Sequence, residues 1–260
     1  MSSSSAPLLE VRQLCKSFPT PGRGKKKLDV LKGINLTINE GEIIGLVGES
    51  GSGKSTFGEC IGGLQSAPEN SVFFRGKDIT QLTKHEYKEY RRSVQFIFQD
   101  PAETLNPRMT VAQIIEEPML AAKIGYKPKD RLQRIAQLMG DVGLNTSLMH
   151  SRPARLSGGQ CQRVAIARAL AVKPALLICD EAVSALDLSV QANILNLLLD
   201  LQQAYKVSQL FISHDLHVVQ YLAKKVAVIH QGLIVEEGSS RDVLQHPQHA
   251  YTRSLVSSSL

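Results

Sequence analysis

Gly48-Glu-Ser-Gly-Ser-Gly-Lys54-Ser55 is the stretch on which the reading of the chain turns. It matches G-x-x-x-x-G-K-[ST] and lies between an apolar strand at 43–47 and a helix opening at Ser55 that runs to Gly62. Glycines let backbone N–H groups turn inward around phosphate oxygens, and the following helix adds the positive end of its dipole. Lys54 supplies a mobile point charge for the β- and γ-phosphates, Ser55 a hydroxyl for Mg²⁺, and Thr56 a further phosphate contact. Gly51-Ser-Gly53 does not fit the dinucleotide pattern G-x-G-x-x-G, which disfavours a dinucleotide enzyme.

A second stretch completes the first. Pro174-Ala-Leu-Leu-Ile-Cys-Asp180-Glu181 reads as a buried strand that delivers two acids to its C-terminal end, where open α/β sheets place their ligands. Asp180 suits the Mg²⁺ shell, and Glu181 suits a base that polarises the water attacking the γ-phosphate.

Outward from these two stretches, a strand is expected at 8–14 and a turn-rich basic loop at 19–27. A further pair of strands is expected at 30–38 and 43–47, with short ones at 72–74 and 94–98. Residues 101–151 change to helical periodicity, in which Ile114, Ile115 and Met119, and then Leu132, Ile135, Leu138 and Met139, fit a three-to-four-residue spacing, and read as an inserted helical subdomain. Strands then alternate with helices again: 176–179, a helix with Val190, Ile194, Leu197, Leu198 and Leu201 on one side, then 210–212 and 226–229. Apolar strands that do not alternate imply a sheet covered on both faces and substantially parallel. The end, Ser257-Ser-Ser-Leu260, is expected to fray.

Composition narrows the class. The chain of 260 residues is 43% hydrophobic and 21% charged, ordinary globular values that allow a sizeable core. No apolar run reaches the roughly 18 to 20 residues of a spanning helix, and no secretory leader is read at the N-terminus, so a cytoplasmic setting is expected. Cys15, Cys60, Cys161 and Cys179 form no C-x-x-C pair, which argues for reduced structural thiols and against zinc, iron-sulfur or disulfide chemistry. The net charge of +6, with a pI near 9.1, leaves nucleic acid or an anionic membrane surface as readings.

Leu156-Ser157-Gly158-Gly159-Gln160, followed by Gln162-Arg163-Val-Ala-Ile-Ala-Arg168-Ala-Leu170, resembles the signature motif of ATP-binding-cassette (ABC) ATPases. The resemblance implies an α/β fold: a P-loop NTPase core with a mixed, largely parallel sheet, an antiparallel β subdomain and an inserted α-helical subdomain. It implies one domain over 1–260, with the core in 1–100 and 156–245, the helical subdomain in 101–155 and a C-terminal tail in 246–260. It also implies ATP and Mg²⁺ as ligands. Gly48, Glu49, Ser50, Gly51, Ser52, Gly53, Lys54, Ser55 and Thr56 would cradle the phosphates, and Ser157, Gly158, Gly159 and Gln160 would meet the γ-phosphate bound by the opposite subunit. Gln99, in Phe96-Ile-Phe-Gln-Asp100, resembles the Q-loop glutamine that touches Mg²⁺ or water. Asp187, in Ser184-Ala-Leu-Asp187, resembles the D-loop residue that crosses the dimer. His214 resembles the switch histidine at the γ-phosphate, and Phe18 the aromatic that stacks on adenine. The resemblance thus makes Glu181, His214, Gln99 and Lys54 the catalytic set, with Ser55, Gln99 and Asp180 at the metal.

A finer resemblance lies in residues 98–110, 180–187 and 189–197 and in the ending His246-Pro-Gln-His-Ala-Tyr-Thr-Arg-Ser-Leu255, which look like the oligopeptide, dipeptide and nickel importer branch. That branch implies two transmembrane permeases, a second ATPase subunit of different sequence, an extracytoplasmic binding protein, and a peripheral place on the cytoplasmic face of the inner membrane. The segment after Gln99 would face the permeases. Nucleic acid becomes the minor reading, kept as a soluble ABC ATPase acting on nucleic acid or ribosomes. Cys161 departs from the usual basic or amide residue after the signature glutamine. His246 and His249 read as a surface turn and not a metal site, and no iron-sulfur cluster is expected.

Overall fold

The computed structural model describes residues 6–19, 27–124 and 127–259. The basic loop at 19–27 lies, but for its two end residues, outside them. In chain order the elements begin β1 (Leu9–Pro19), β2 (Lys27–Ile38), β3 (Ile43–Val47), α1 (Lys54–Ile61), β4 (Val72–Phe74), β5 (Lys77–Asp78), α2 (Lys84–Ser93), β6 (Val94–Ile97), α3 (Pro101–Thr104), α4 (Val111–Ala121) and α5 (Pro128–Asp141). They continue α6 (Gly158–Leu170), β7 (Leu176–Asp180), α7 (Leu188–Tyr205), β8 (Ser208–Ser213), α8 (Leu216–Leu222), β9 (Lys225–His230), β10 (Leu233–Ser239), α9 (Ser240–Gln245) and α10 (Ala250–Ser259). The chain divides into two compact units, Met1–Arg91 with Ser208–Leu260, and Arg92–Val207.

The first unit holds two sheets. One is antiparallel, in the order β2-β1-β4-β5. In the other, β3 runs parallel to β8 on one side and β9 on the other, and β10 closes antiparallel on β9. Ile44, Leu46 and Val47 of β3 are all fully buried, and every residue of β8 is buried. Such strands need cover on both faces, which α1 and α8 help to supply. The expected neighbours at 30–38 and 43–47 therefore enter different sheets. β1 also runs on to Pro19, past the expected end at 14, because bulges flanking Leu14, with Gln13 at φ 45°, reset its alternation.

The second unit pairs β6 with β7 in parallel, Val94 opposite Leu176 through Ile97 opposite Cys179. Helices α4, α5 and α6 pack on one another, and α6 also packs on β6 and α7. The α4 start is a capping box, in which Thr110 Oγ1 accepts the Gln113 N–H and Gln113 Oε1 accepts the Thr110 N–H. Pro128 starts α5, where its missing N–H costs nothing. Of the basic residues of this region, Lys123, Lys127 and Lys129 are exposed. Arg131 instead pairs with Glu116 at 2.6 Å, and the Arg134 guanidinium lies over the Tyr205 ring at 5.5 Å. Among the described residues no helix is long and apolar enough to cross a membrane.

The C-terminus departs from expectation. Of the tail expected to fray, residues 257–259 are helical and complete α10, which the buried Thr252 and Leu255 (0% and 7% exposed) anchor, and Leu260 lies outside the described residues. His246 and His249 sit in the turn before it, and His249 Nδ1 accepts the Tyr251 N–H at 3.2 Å, so this histidine caps a helix.

Candidate functional site

The glycine loop leaves β3 and closes on α1. Gly51 and Gly53 take φ +77° and +109°, the left-handed region that L side chains rarely adopt. A Cβ on Gly48 would lie 2.2 Å from the Ile229 carbonyl oxygen, whereas one on Gly51 would meet nothing within 4 Å. The loop is thus pressed against β9 at its start and open at its crest. Lys54 is 5% exposed, and its ammonium donates to the carbonyls of Gly48 (2.8 Å) and Glu49 (2.9 Å), inside the loop that its own helix follows. Ser52 N–H donates to Glu49 O at 3.2 Å, and Gly232 N–H to Ser52 O at 3.0 Å, so backbone bonds fix the loop on both sides. Ser55 is exposed and Thr56 half-buried in the first turn of α1, where N–H groups lack helical partners. Open crest, lysine and helix start together form a donor set for a polyphosphate.

His214, in the same unit, is exposed directly after β8. Asp215 then turns the chain into α8, its carboxylate accepting the N–H groups of His217 (2.8 Å) and Val218 (3.4 Å). Phe18 stands half-buried near the end of β1, opposite Leu28, with the Lys16 ammonium 5.5 Å from its ring centre.

In the second unit the parallel pairing of β6 and β7 brings the chain out at one edge of both strands. Gln99 lies two residues past β6 and is exposed; Asp180 ends β7 and Glu181 follows it. Glu181 adopts φ +48°, an unusual conformation for a non-glycine residue, and such strain persists only where the surroundings impose it. They do: the Glu181 carbonyl accepts both the Ser184 N–H (3.1 Å) and its hydroxyl (3.0 Å), while the buried Gln162 Nε2 donates to Ala182 O at 2.6 Å. Sequence reasoning missed Gln162 in this role, although it lies within the quoted signature helix. Burial pushes the neighbouring Cys179 thiol up to about 12, with the Asp180 charge adding to it, and raises Cys161 as well. These thiols are structural, not reactive.

The signature segment opens α6 as a capping box. Ser157 Oγ accepts the Gln160 N–H (3.3 Å) and Gln160 Oε1 accepts the Ser157 N–H (3.0 Å). A serine hydroxyl that accepts there keeps its proton to donate, so capping and anion contact are compatible. A Cβ on Gly159 would stand 2.6 Å from Val190 Cγ1 of α7, and one on Gly158 would touch Leu186 Cδ2 at 3.6 Å. The signature glycines therefore also permit close packing against the segment that carries Asp187, which is exposed before α7. Gly159→Ala is expected to destabilise the protein by roughly 1 to 3 kcal/mol, since a helical valine has one main rotamer and cannot swing aside. Chemical denaturation reads this as a lower midpoint at unchanged slope.

A family model described as ABC transporter matches residues 31–184. The chain belongs to the ABC transporter family. It is 45% identical over 232 residues to the oligopeptide transport ATP-binding protein OppF of Salmonella typhimurium, covering 89% of this chain and 70% of that one. It is 43% identical over 254 residues to a putative peptide import ATP-binding protein of Brucella ovis, covering 98% and 79%. Among solved structures, the dimeric ATP-binding cassette MJ0796 bound to ADP and phosphate, in a post-hydrolysis state, superposes with a TM-score of 0.79 at 30% identity, covering 90% of this chain and 99% of that one. The fold is that of the ATP-binding cassette, with its antiparallel β sheet and helical insertion.

Proposed function

We propose that this ABC transporter subunit binds and hydrolyses ATP to drive peptide import. The observation that carries the reading is Lys54, buried at the head of α1 with its ammonium inside a glycine loop whose crest is open. Support for peptide as cargo comes from the two relatives above, both named for peptide transport or import.

Lys54, the amides from Gly51 to Thr56 and the first turn of α1 hold the phosphates. Glu181 takes the proton of the attacking water, and His214 offsets charge that develops on the γ-phosphate. Ser55, Asp180 and Gln99 would hold Mg²⁺, their hydroxyl, carboxylate and amide oxygens suiting a hard cation, which would neutralise phosphate charge. Ser157, Gly158, Gly159 and Gln160 serve the nucleotide of a second cassette, Asp187 reaches across to that cassette, and Phe18 stacks on adenine. Catalysis in this scheme is positioning and electrostatic stabilisation. The 101–155 helices and the segment after Gln99 face two permeases, and the subunit works at the cytoplasmic face of the membrane.

The test is purification with its permeases into proteoliposomes, adding a binding protein loaded with peptide or with nickel. Peptide-loaded protein is expected to raise ATP turnover several-fold. Stimulation by the nickel-loaded form alone would overturn the peptide assignment.

A further inference from the structure

The phosphate loop is held at one more point, by a side chain of α10. Tyr251, on α10, places its hydroxyl oxygen 3.0 Å from the Glu49 backbone nitrogen, which donates to it. The carbonyl of the same residue accepts from Lys54 and from the Ser52 N–H. Glu49 is therefore fixed through both of its backbone polar groups, one of them by a side chain from the far end of the sequence.

The tyrosine is itself held. Its ring stacks on His230, the last residue of β9, with ring centres 3.7 Å apart and planes 29° apart. The preceding residue, Ile229, is the one whose carbonyl borders Gly48. The start of α10 is pinned by Glu236 of β10, whose carboxylate accepts the N–H groups of Gln248 (2.8 Å) and His249 (3.0 Å).

We propose that Tyr251 is a positioning residue for nucleotide binding: through the Glu49 amide, the C-terminal helix sets the conformation of the phosphate loop and with it the affinity for ATP. Backbone donors that must converge on an anion bind it better when their ordering is already complete, and a neutral hydrogen bond is a modest contribution to that ordering. The inference rests on the reading of the loop as the ATP site.

Tyr251→Phe removes the hydroxyl and keeps the ring on His230. The expected result is a rise of roughly 2- to 10-fold in the ATP dissociation constant of the purified subunit. The KM for ATP should rise equally in the assembled transporter, with kcat unmoved. Glu236→Ala, which loosens the start of α10 without touching the loop, should raise the dissociation constant in the same direction. Wild-type affinity in Tyr251→Phe would overturn the inference while leaving the ATP site standing, as would a lowered kcat at unchanged KM. A wild-type chain that failed to bind ATP would overturn both.

Discussion

Glu181→Gln should leave ATP binding near that of wild type while lowering steady-state turnover by roughly 10²- to 10⁴-fold, the range for loss of a general base. The carboxylate can accept a proton from the attacking water; the amide of almost identical shape cannot. The substitution is a clean probe because the site's unusual geometry belongs to the backbone. Glu181 sits at φ +48°, locked by Ser184 on its carbonyl and by Gln162 on the next one, and glutamine meets the same conformational cost. An equal thermal midpoint for the two proteins would therefore assign the loss to chemistry. With hydrolysis blocked and ATP retained, the variant should also accumulate as a closed cassette pair in size-exclusion chromatography with ATP, since a nucleotide gripped by both subunits favours the closed state. Near-wild-type turnover in the purified transporter would overturn the assignment of Glu181.

What the sequence made legible divides along physical lines. The strands β3, β7, β8 and β9 could be read because unbroken apolar runs bounded by polar turns have few alternatives in a covered sheet. The loop around Lys54 and the acids at Asp180 and Glu181 could be read because glycine spacing and strand-end position are local properties. Partner choice is not local, so nothing in 30–38 and 43–47 reveals that one strand joins β1 and the other joins β8 and β9. Helix α2 carries Lys-His-Glu-Tyr-Lys-Glu-Tyr-Arg-Arg-Ser with Tyr90 as its buried residue, too polar for a periodic stripe. In α10 the serines at the end argue for fraying, and the helix holds because Thr252 and Leu255 find a buried seat. The candidate site shows the same limit: the residues proposed to touch phosphate are spelled out by motif, while those that brace the motif, Gln162 behind Glu181 and Tyr251 behind Glu49, depend on contacts that only the fold creates.

Lys54 is the second residue on which the reading stands, and Lys54→Ala tests it at the binding step. Each charge-assisted hydrogen bond to phosphate contributes roughly 1.5 to 3 kcal/mol, so losing one should weaken ATP binding roughly 10- to 100-fold. The contacts of Lys54 within the loop shape how this should be measured. Its ammonium donates to the Gly48 and Glu49 carbonyls, so alanine leaves two acceptors without that donor and also relaxes the loop. Lys54→Met, which keeps the buried stem but not the charge, has the same consequence for those carbonyls while preserving packing. Affinity lost equally by both variants belongs to the ammonium; affinity lost only by alanine belongs to the stem. Thermal shift gives an independent reading, because a ligand at 100 times its dissociation constant stabilises the folded state by about 2.7 kcal/mol, and a 100-fold weaker site at the same ATP concentration by only about 0.4 kcal/mol. About half of the ATP-induced shift in midpoint should therefore vanish in Lys54→Met at a 10-fold loss of affinity, and most of it at a 100-fold loss. An unchanged dissociation constant in a direct ATP titration would remove Lys54 from the site, and with it the observation on which the proposed ATPase rests.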